Sequence, residues 1–324
     1  MFHSELLKID AEVAIQRISD TLVAALQKFR KKGVVVALSG GIDSSVCAAL
    51  CVTILGPERV WGLLLPEADS SANSTQLGQL LVDHLQISSM TTNITPTLEA
   101  VGCYQWRNQA IQSVFPEFRN DWKCKIVISN FQFETDSLNF FKLIVENPEG
   151  MQQEKRLPLT AYLQIVAATN FKQRIRKTLE FFHADRLNYL VVGTPNRLEY
   201  DQGFFVKNGD GSADIKPIAH LYKTQVYQLA RHLGLPEEIC SQKPTTDTYS
   251  LSQGQDEFFF GLPHDKMDLA LYAVNQNFSA EAVAPVIGLS VAQTERVFRD
   301  IQQKRQTTAY LQSAPILVEP IFNH

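Results

Sequence analysis

Ser39-Gly40-Gly41-Ile42-Asp43-Ser44-Ser45 combines residue types suited to holding a phosphate group. Paired glycines let the chain turn sharply and bring backbone N–H groups close to an anion, and the hydroxyls of Ser39, Ser44 and Ser45 add donors. No Gly-Lys-Ser/Thr follows, so this is not the Walker pattern and it carries no lysine for a γ-phosphate. Asp43 would repel phosphate unless a cation stood between them, which points to a magnesium-bound pyrophosphate as the ligand. An ordinary Ser/Gly turn with Asp43 as a helix cap is the plainer alternative.

The flanking residues read as elements that would present such a loop. Val34 to Leu38 is an apolar run expected as a strand buried on both faces, and an Ala-rich helix is expected from Ser45 to Leu55, stopping at Gly56-Pro57. Val60 to Leu65 reads as a second buried strand, making a parallel crossover unit whose nucleotide edge lies beyond the carboxyl ends of its strands. Before it, Asp10 to Arg30 spaces Val13, Ile18, Leu22, Leu26 and Phe29 as an amphipathic helix, with Asp10 as cap, cations in the last turn and Gly33 as the stop. Leu77 to Leu85 reads as a helix and Ile87 to Ile94 as a third strand. The pattern changes over 101–158, with β-like stretches at Lys125 to Ile128 and Phe140 to Val145, and this segment is expected to be an insertion or lid.

A helix is expected from Asn170 through Phe182; its Arg174 and Arg176 are two apart and should not share a face. Tyr189 to Gly193 is another short buried strand, followed at once by Thr194 and Glu199, again at a carboxyl edge. Gly203 to Asp214 is dense in Gly, Asp and Asn, which signals tight turns, but its acids lack the alternation and terminal Glu of a calcium loop. The expected fold is therefore α/β, a Rossmann-like parallel sheet flanked by helices, with 1–324 as a single domain and 265–324 as a helical C-terminal portion.

Composition narrows the function. The 324 residues carry 30 basic and 34 acidic side chains, a net charge of −4 that gives no global attraction to nucleic acid. No apolar run is long enough to span a bilayer and the N-terminus shows no secretion signal, so a cytoplasmic location is expected. The cysteines Cys47, Cys51, Cys103, Cys124 and Cys240 are odd in number and unpaired in pattern, which argues against disulfides or a zinc site.

The loop resembles the signature of the ATP pyrophosphatases, which cleave ATP to AMP and pyrophosphate while activating a carboxylate. SGGIDSS, NFKQRIR, GTPNRLE, GFFVKNGDGSADIKPI, LYKTQV and KPTTD further occur in the order found in ammonia-dependent NAD synthetases. The resemblance covers about Gly33 to Met267, apart from 101–158, and implies an adenine-nucleotide alpha-hydrolase-like fold. By that resemblance Ser39, Gly40, Gly41, Ile42, Asp43, Ser44, Ser45, Thr194, Lys223 and Thr245 bind ATP, with Asp43 and Lys223 catalytic. Asp43 and Glu199 are implied as Mg2+ ligands, and Arg176, Lys207, Asp214 and Lys304 as contacts for deamido-NAD. The motif around Lys304 reads Gln303-Lys304-Arg305-Gln306, with Gln303 where the family pattern has His.

The implied reaction transfers an adenylyl group from ATP to the carboxylate of deamido-NAD, and ammonia then displaces AMP to give NAD. With no room for a glutamine-hydrolysing domain, free ammonia or a separate ammonia-supplying protein is expected, and the family implies a homodimer. Three other readings stand beside it. An ATP-dependent ligase for another carboxylate accounts for Gln303 and the extra stretch. A tRNA-thiolating pyrophosphatase would want a relay cysteine or a basic face. Ser279 to Arg299 has a helix-turn-helix outline for DNA, but its mixed charges favour a packed αα-hairpin.

Overall fold

The structure, a computed structural model, describes residues 2–129, 140–245, 248–319 and 321. Its centre is a four-stranded parallel sheet of β1 (Val34–Ala37), β2 (Val60–Leu64), β3 (Ser88–Thr91) and a later strand, Leu190–Val192, in the order third, second, first, last. Val34, Val35 and Val36 pair with Val60, Trp61 and Gly62 on one side and with Leu190, Val191 and Val192 on the other. The strand order thus reverses beside β1, and the crevice at the carboxyl ends of β1 and its last-strand neighbour is where such sheets take a ligand.

Both faces of the sheet are covered, as the unbroken Val34-Val35-Val36 run requires. On the face of Val34 and Val36 lie α1 (Ala11–Phe29), α2 (Ile42–Leu55) and α3 (Ala72–Leu85). On the face of Val35, Leu63 and Val191 lie α4 (Thr95–Ala100), α5 (Cys103–Gln112) and, after the three strands described next, the long helix α6 (Leu159–Leu187). Asp10 caps α1, accepting from Val13 N at 3.1 Å. The helix stops at Arg30, held left-handed at φ 54°, rather than at Gly33, and Val13 and Phe29 are exposed while Ala14 joins the buried stripe.

The segment 101–158 is not uniform. Its first part, α5, packs along α6 as a layer of the main body. A separate antiparallel sheet of β4 (Lys123–Ile128), β5 (Phe141–Glu146) and β6 (Gln152–Arg156) follows, with its own core of Phe115, Phe118, Ile126, Leu143 and Val145. The fully exposed β6, QQEKR, has no apolar alternation by which the sequence could announce it. The last strand of the parallel sheet is β7 (Leu190–Val192), followed by α7 (Arg197–Gln202), α8 (Lys223–His232) and α9 (Glu237–Cys240).

The C-terminal portion is α10 (His264–Asn275), α11 (Ala280–Ile287) and α12 (Val291–Gln312), packed around Met267, Leu271, Val283, Ile287, Val297 and Ile301. Gly288 at φ 67° turns α11 into α12, an αα-hairpin seated on α10. The N-terminal Phe2 and Leu7 belong to this same core. Among the described residues no helix is long and apolar enough to cross a membrane.

Candidate active site

The helix after β1 begins at Ile42, with Gly41 as its cap, so Asp43 and Ser44 lie in its first turn and not in an open loop ending at Ser45. Gly40 is left-handed at φ 76°, and a Cβ there would stand 2.4 Å from Ser74 O. The glycine is therefore required both by its backbone angle and by the close approach of α3. Ser44 Oγ donates to Gly41 O at 3.0 Å and lies 3.2 Å from Ser39 Oγ, which accepts from Gly41 N at 3.3 Å. Ser45 Oγ donates to Gly41 O at 2.9 Å and the residue is fully buried.

Asp43 projects from this turn onto Lys223, the first residue of α8, with which it forms a close ion pair. Its other oxygen accepts from Asn196 Nδ2 at 3.1 Å. Asn196 in turn caps α7 in a reciprocal box with Glu199: Glu199 N donates to Asn196 Oδ1 at 3.3 Å and Asn196 N to Glu199 Oε2 at 3.1 Å. The Asn-x-x-Glu spacing in Asn196 to Glu199 is the signal from which that cap was readable. Gln255 Nε2 donates to the remaining Glu199 oxygen at 2.8 Å.

The charges here are unbalanced. Burial, and then the negative charge of Asp43, lift the Glu199 carboxyl to about 7 against the opposing pull of Lys223. Burial works against the Lys223 ammonium, but Asp43 and Glu199 more than offset it and raise its pKa, so it stays charged. Two acids share one buried cation, and a hard divalent ion is the group that would relieve them. The residues thus fit Mg2+, for which Asp43 and Glu199 would supply two carboxylates. Among the described residues no cluster of three or more metal-ligating side chains exists to form an all-protein cage.

Beneath the ion pair, Asp268 of α10 is wholly buried and accepts from Lys223 N at 3.1 Å and Thr224 N at 2.6 Å, capping α8 with both oxygens. Burial pushes its carboxyl up to about 7 despite these bonds. Nothing in the sequence links positions 223 and 268, and this residue escapes sequence reasoning. The same holds for a second buried network beyond β2, where Lys172 Nζ donates to Glu67 Oε1 at 2.9 Å, Asp69 Oδ2 at 2.6 Å and Thr248 O at 2.8 Å. Arg107 also pairs with Asp69, and Tyr104 donates to Glu67 at 2.7 Å.

One cavity of about 1410 Å3 runs along the carboxyl edge. That exceeds the roughly 300–1,000 Å3 usual for one small ligand and leaves room for two nucleotides. Ser39, Gly40, Gly41, Ile42, Asp43, Ser44, Thr194, Glu199, Arg176, Lys207, Lys223 and Thr245 all line it. Arg176 is aimed by bonds to Leu65 O at 3.1 Å and Ser70 Oγ at 3.4 Å. Arg174 lines the cavity as well, donating to Lys207 O at 3.3 Å, so the wide cavity receives both arginines despite their spacing. Lys207 Nζ donates to Tyr310 O at 2.8 Å at the far rim.

Three expected contacts stand apart from that lining. Ser45 turns its hydroxyl back into its own helix turn. Asp214 accepts from Val191 N at 2.7 Å, fixing the chain beside β7. Lys304 donates to Phe259 O at 2.6 Å and pairs with Asp300, behind the cavity wall, and Gln303 is exposed on α12. All five cysteines are buried and unpaired, and burial lifts the Cys51 thiol to about 12, as inert core thiols require.

The four-stranded parallel sheet, its switch-point crevice and the Gly40-Gly41 turn into α2 define a Rossmann-like α/β protein. Comparison with known proteins names the family. The NAD synthase family model matches residues 14–120 and 110–313, and the chain belongs to that family. An NH(3)-dependent NAD(+) synthetase of Rhizobium meliloti (strain 1021) is 53% identical over 321 residues, covering 99% of this chain and 96% of that protein. One from Thermotoga neapolitana is 34% identical over 253 residues, 78% and 81% of the two chains. Among solved structures, the NH3-dependent NAD synthetase of Campylobacter jejuni, in complex with nitrate, aligns with a TM-score of 0.63 at 21% identity, over 96% of this chain and 100% of that one. NMN synthetase of Francisella tularensis aligns with a TM-score of 0.62 at 22% identity, over 97% and 100%. These two likenesses establish the fold.

Proposed function

We propose that this protein, a ligase of the NAD synthase family, amidates deamido-NAD with ammonia at the expense of ATP, releasing AMP and pyrophosphate. The observation that carries the reading is the buried Lys223, ion-paired with Asp43 and within the electrostatic reach of Glu199, in a chain matching NH(3)-dependent NAD(+) synthetases over nearly its whole length.

In the first step a carboxylate oxygen of deamido-NAD attacks the α-phosphorus of ATP and the bond to pyrophosphate breaks. Charge accumulates on the leaving pyrophosphate, where the backbone N–H groups of the Gly40-Gly41 turn and the Lys223 ammonium act. Asp43 and Glu199 would hold Mg2+, which when bound neutralises part of that charge. In the second step ammonia attacks the acyl carbon, the C–N bond forms, AMP leaves and a proton passes to solvent. The site needs no strong base for this; holding the acyl-adenylate and excluding bulk water are what its walls supply. Thr194 and Thr245 serve the ATP side, and Arg176 and Lys207 the dinucleotide side. For Asp214 and Lys304 the proposed role is indirect, fixing the chain beside β7 and the wall at Phe259.

The same reading takes the protein as a cytoplasmic homodimer supplied with free ammonia or ammonia from another protein. Exposed Trp106, Leu159 and Leu163 on α5 and α6 support a subunit contact there, and sedimentation tests it. The deciding experiment incubates protein, ATP, Mg2+, ammonium and deamido-NAD and measures NAD and AMP together, with Asp43→Ala as control. Stoichiometric NAD and AMP, lost in the control, are expected. AMP formation with another carboxylate but not with deamido-NAD would retain the adenylating chemistry and discard the substrate.

A further inference from the structure

The antiparallel sheet has a free edge, β4, and that edge is not left to solvent. It is bonded to the segment 250–257. Cys124 N donates to Ser250 Oγ at 2.9 Å, and Leu251 N donates to Cys124 O at 3.2 Å. Gln253 Nε2 donates to Ile126 O, so alternate residues of β4 each turn a backbone group to the same neighbour. Lys125 Nζ adds bonds to Ser252 O at 3.2 Å and Glu257 Oε2 at 3.0 Å.

Packing repeats the pattern. Tyr249 is buried in the insertion's own core beside Ile126 and Leu143, and Phe258 rests between Tyr249, at 5.7 Å, and Phe141, at 6.5 Å. The segment so gripped reaches the chemistry through two adjacent residues at its middle. Gly254 bridges to Thr245, and Gln255 holds the Glu199 carboxylate.

We propose that the β4–β6 insertion is a brace: it orders residues 248–258 before substrate arrives, so that Gln255 and Thr245 stand in place in the free protein. Lys125, outside the cavity, is then a positioning residue acting through this segment, and Ser250, which lines the cavity, ties the segment to β4 through its hydroxyl. A segment ordered in advance spares ligand binding the loss of its conformational freedom, and its loosening should weaken binding more than it slows bound substrate. The inference rests on the proposed synthetase activity for its kinetic arm only.

The test uses the full chain and the double variant Lys125→Met/Ser250→Ala, with Lys125→Arg/Ser250→Thr as the conservative counterpart. Hydrogen exchange in the ligand-free protein should show peptides over 248–258 protected in the wild type. Exchange there should be at least about fivefold faster in the Met/Ala variant, while β1 and α2 are unchanged. In steady state, KM for ATP or deamido-NAD should rise about three- to tenfold with kcat within twofold, and the Arg/Thr variant should recover wild-type values. Two exchange results would overturn the proposal: a wild-type segment that exchanges like unstructured chain until ligand is added, and a Met/Ala variant with unaltered exchange. Faster exchange with KM unmoved, or a loss confined to kcat, would remove the positioning role. If the protein makes no NAD at all, the exchange measurements still decide whether the brace exists.

Discussion

Gly40 and Gly41 are adjacent and look equivalent in the sequence, but the structure predicts very unequal costs for replacing them with alanine. Gly40 is left-handed at φ 76°, a conformation that costs an L-residue about 1–2 kcal/mol. Its new Cβ would also lie 2.4 Å from Ser74 O and 2.9 Å from Leu77 Cβ, and a backbone carbonyl in α3 cannot rotate aside. Overpacking of that kind adds about 1–3 kcal/mol. The turn can relieve it only by moving away from α3, which displaces the N–H groups meant for phosphate. Even about 2 kcal/mol of lost binding corresponds to a roughly thirtyfold rise in KM for ATP. Gly41 has φ −81°, and its Cβ would meet only Ser39 Oγ, at 3.2 Å, the mobile end of a side chain. Gly41→Ala should therefore cost about 1 kcal/mol or less, the ordinary loss of a capping glycine. The assay is KM for ATP in NAD formation, with isotope exchange between pyrophosphate and ATP as a second readout and thermal midpoints to check folding. Equal losses in the two variants, or Gly40→Ala with KM within threefold of wild type, would refute the reasoning.

Lys223→Met removes the buried cation between two acids and should lower kcat by about 10²–10³, the usual cost of one transition-state donor; near-normal turnover would exclude Lys223 from the phosphate site. Chelation of Mg2+ should stop NAD formation, and Asp43→Asn and Glu199→Gln should each raise the Mg2+ concentration needed for half-maximal rate, measured by titration at fixed ATP. Arg176→Ala should raise KM for deamido-NAD at least tenfold while leaving KM for ATP within a few-fold, since its guanidinium reaches the cavity from α6 and not from the phosphate turn. The raised pKa of Asp268 means that the folded state holds its proton up to about pH 7 while the unfolded chain releases it near 4. Its contribution to stability is thus greatest at low pH and declines as pH rises toward 7, by up to about 4 kcal/mol. Asp268→Asn should flatten that part of the urea-midpoint profile between pH 5 and 8, and an unchanged slope would show that Asp268 is already ionised at pH 5.

The parallel sheet and the glycine turn into α2 were legible because each rests on local pattern: unbroken valines for β1, an alternation of strand and helix, and glycines at a turn. Helix ends were less so. The helix after β1 starts at Ile42, three residues before the expected Ser45, because Gly41 is a sufficient cap and Asp43 and Ser44 suit a first turn. The expected insertion over 101–158 began too early, since α5 has the apolar face of a body helix that only α6 reveals. Residues brought together by tertiary packing alone, such as Asp268 under Lys223 or Lys172 between Glu67 and Asp69, carry no mark in the sequence that distinguishes them from solvated charges. The family motifs did gather the expected ATP-side residues at one cavity. Ser45, Asp214 and Lys304 matched the same motifs yet turn their side chains to backbone partners outside it.

Lys223 is the point at which a local rule gives way to function. A cation on the first residue of a helix faces the positive end of the helix dipole, a placement that costs about 0.3–1 kcal/mol where it is uncompensated. Asp268 answers the dipole directly, taking the N–H groups of Lys223 and Thr224, and Asp43 answers the ammonium. Each carboxylate is itself buried or partly so, and each is tolerable only because the other charges are there. The arrangement is therefore a single electrostatic unit drawn from α2, α7, α8 and α10, in which acids outnumber the one cation, Lys223. On the proposed function, the pyrophosphate of ATP would be met by the N-terminus of α2 and by the Lys223 ammonium, groups held in place before it arrives. An apolar side chain in place of Lys223 would suit the helix start better but would leave Asp43 without its cation; on the proposed function the lysine is kept for the charge that would form beside it.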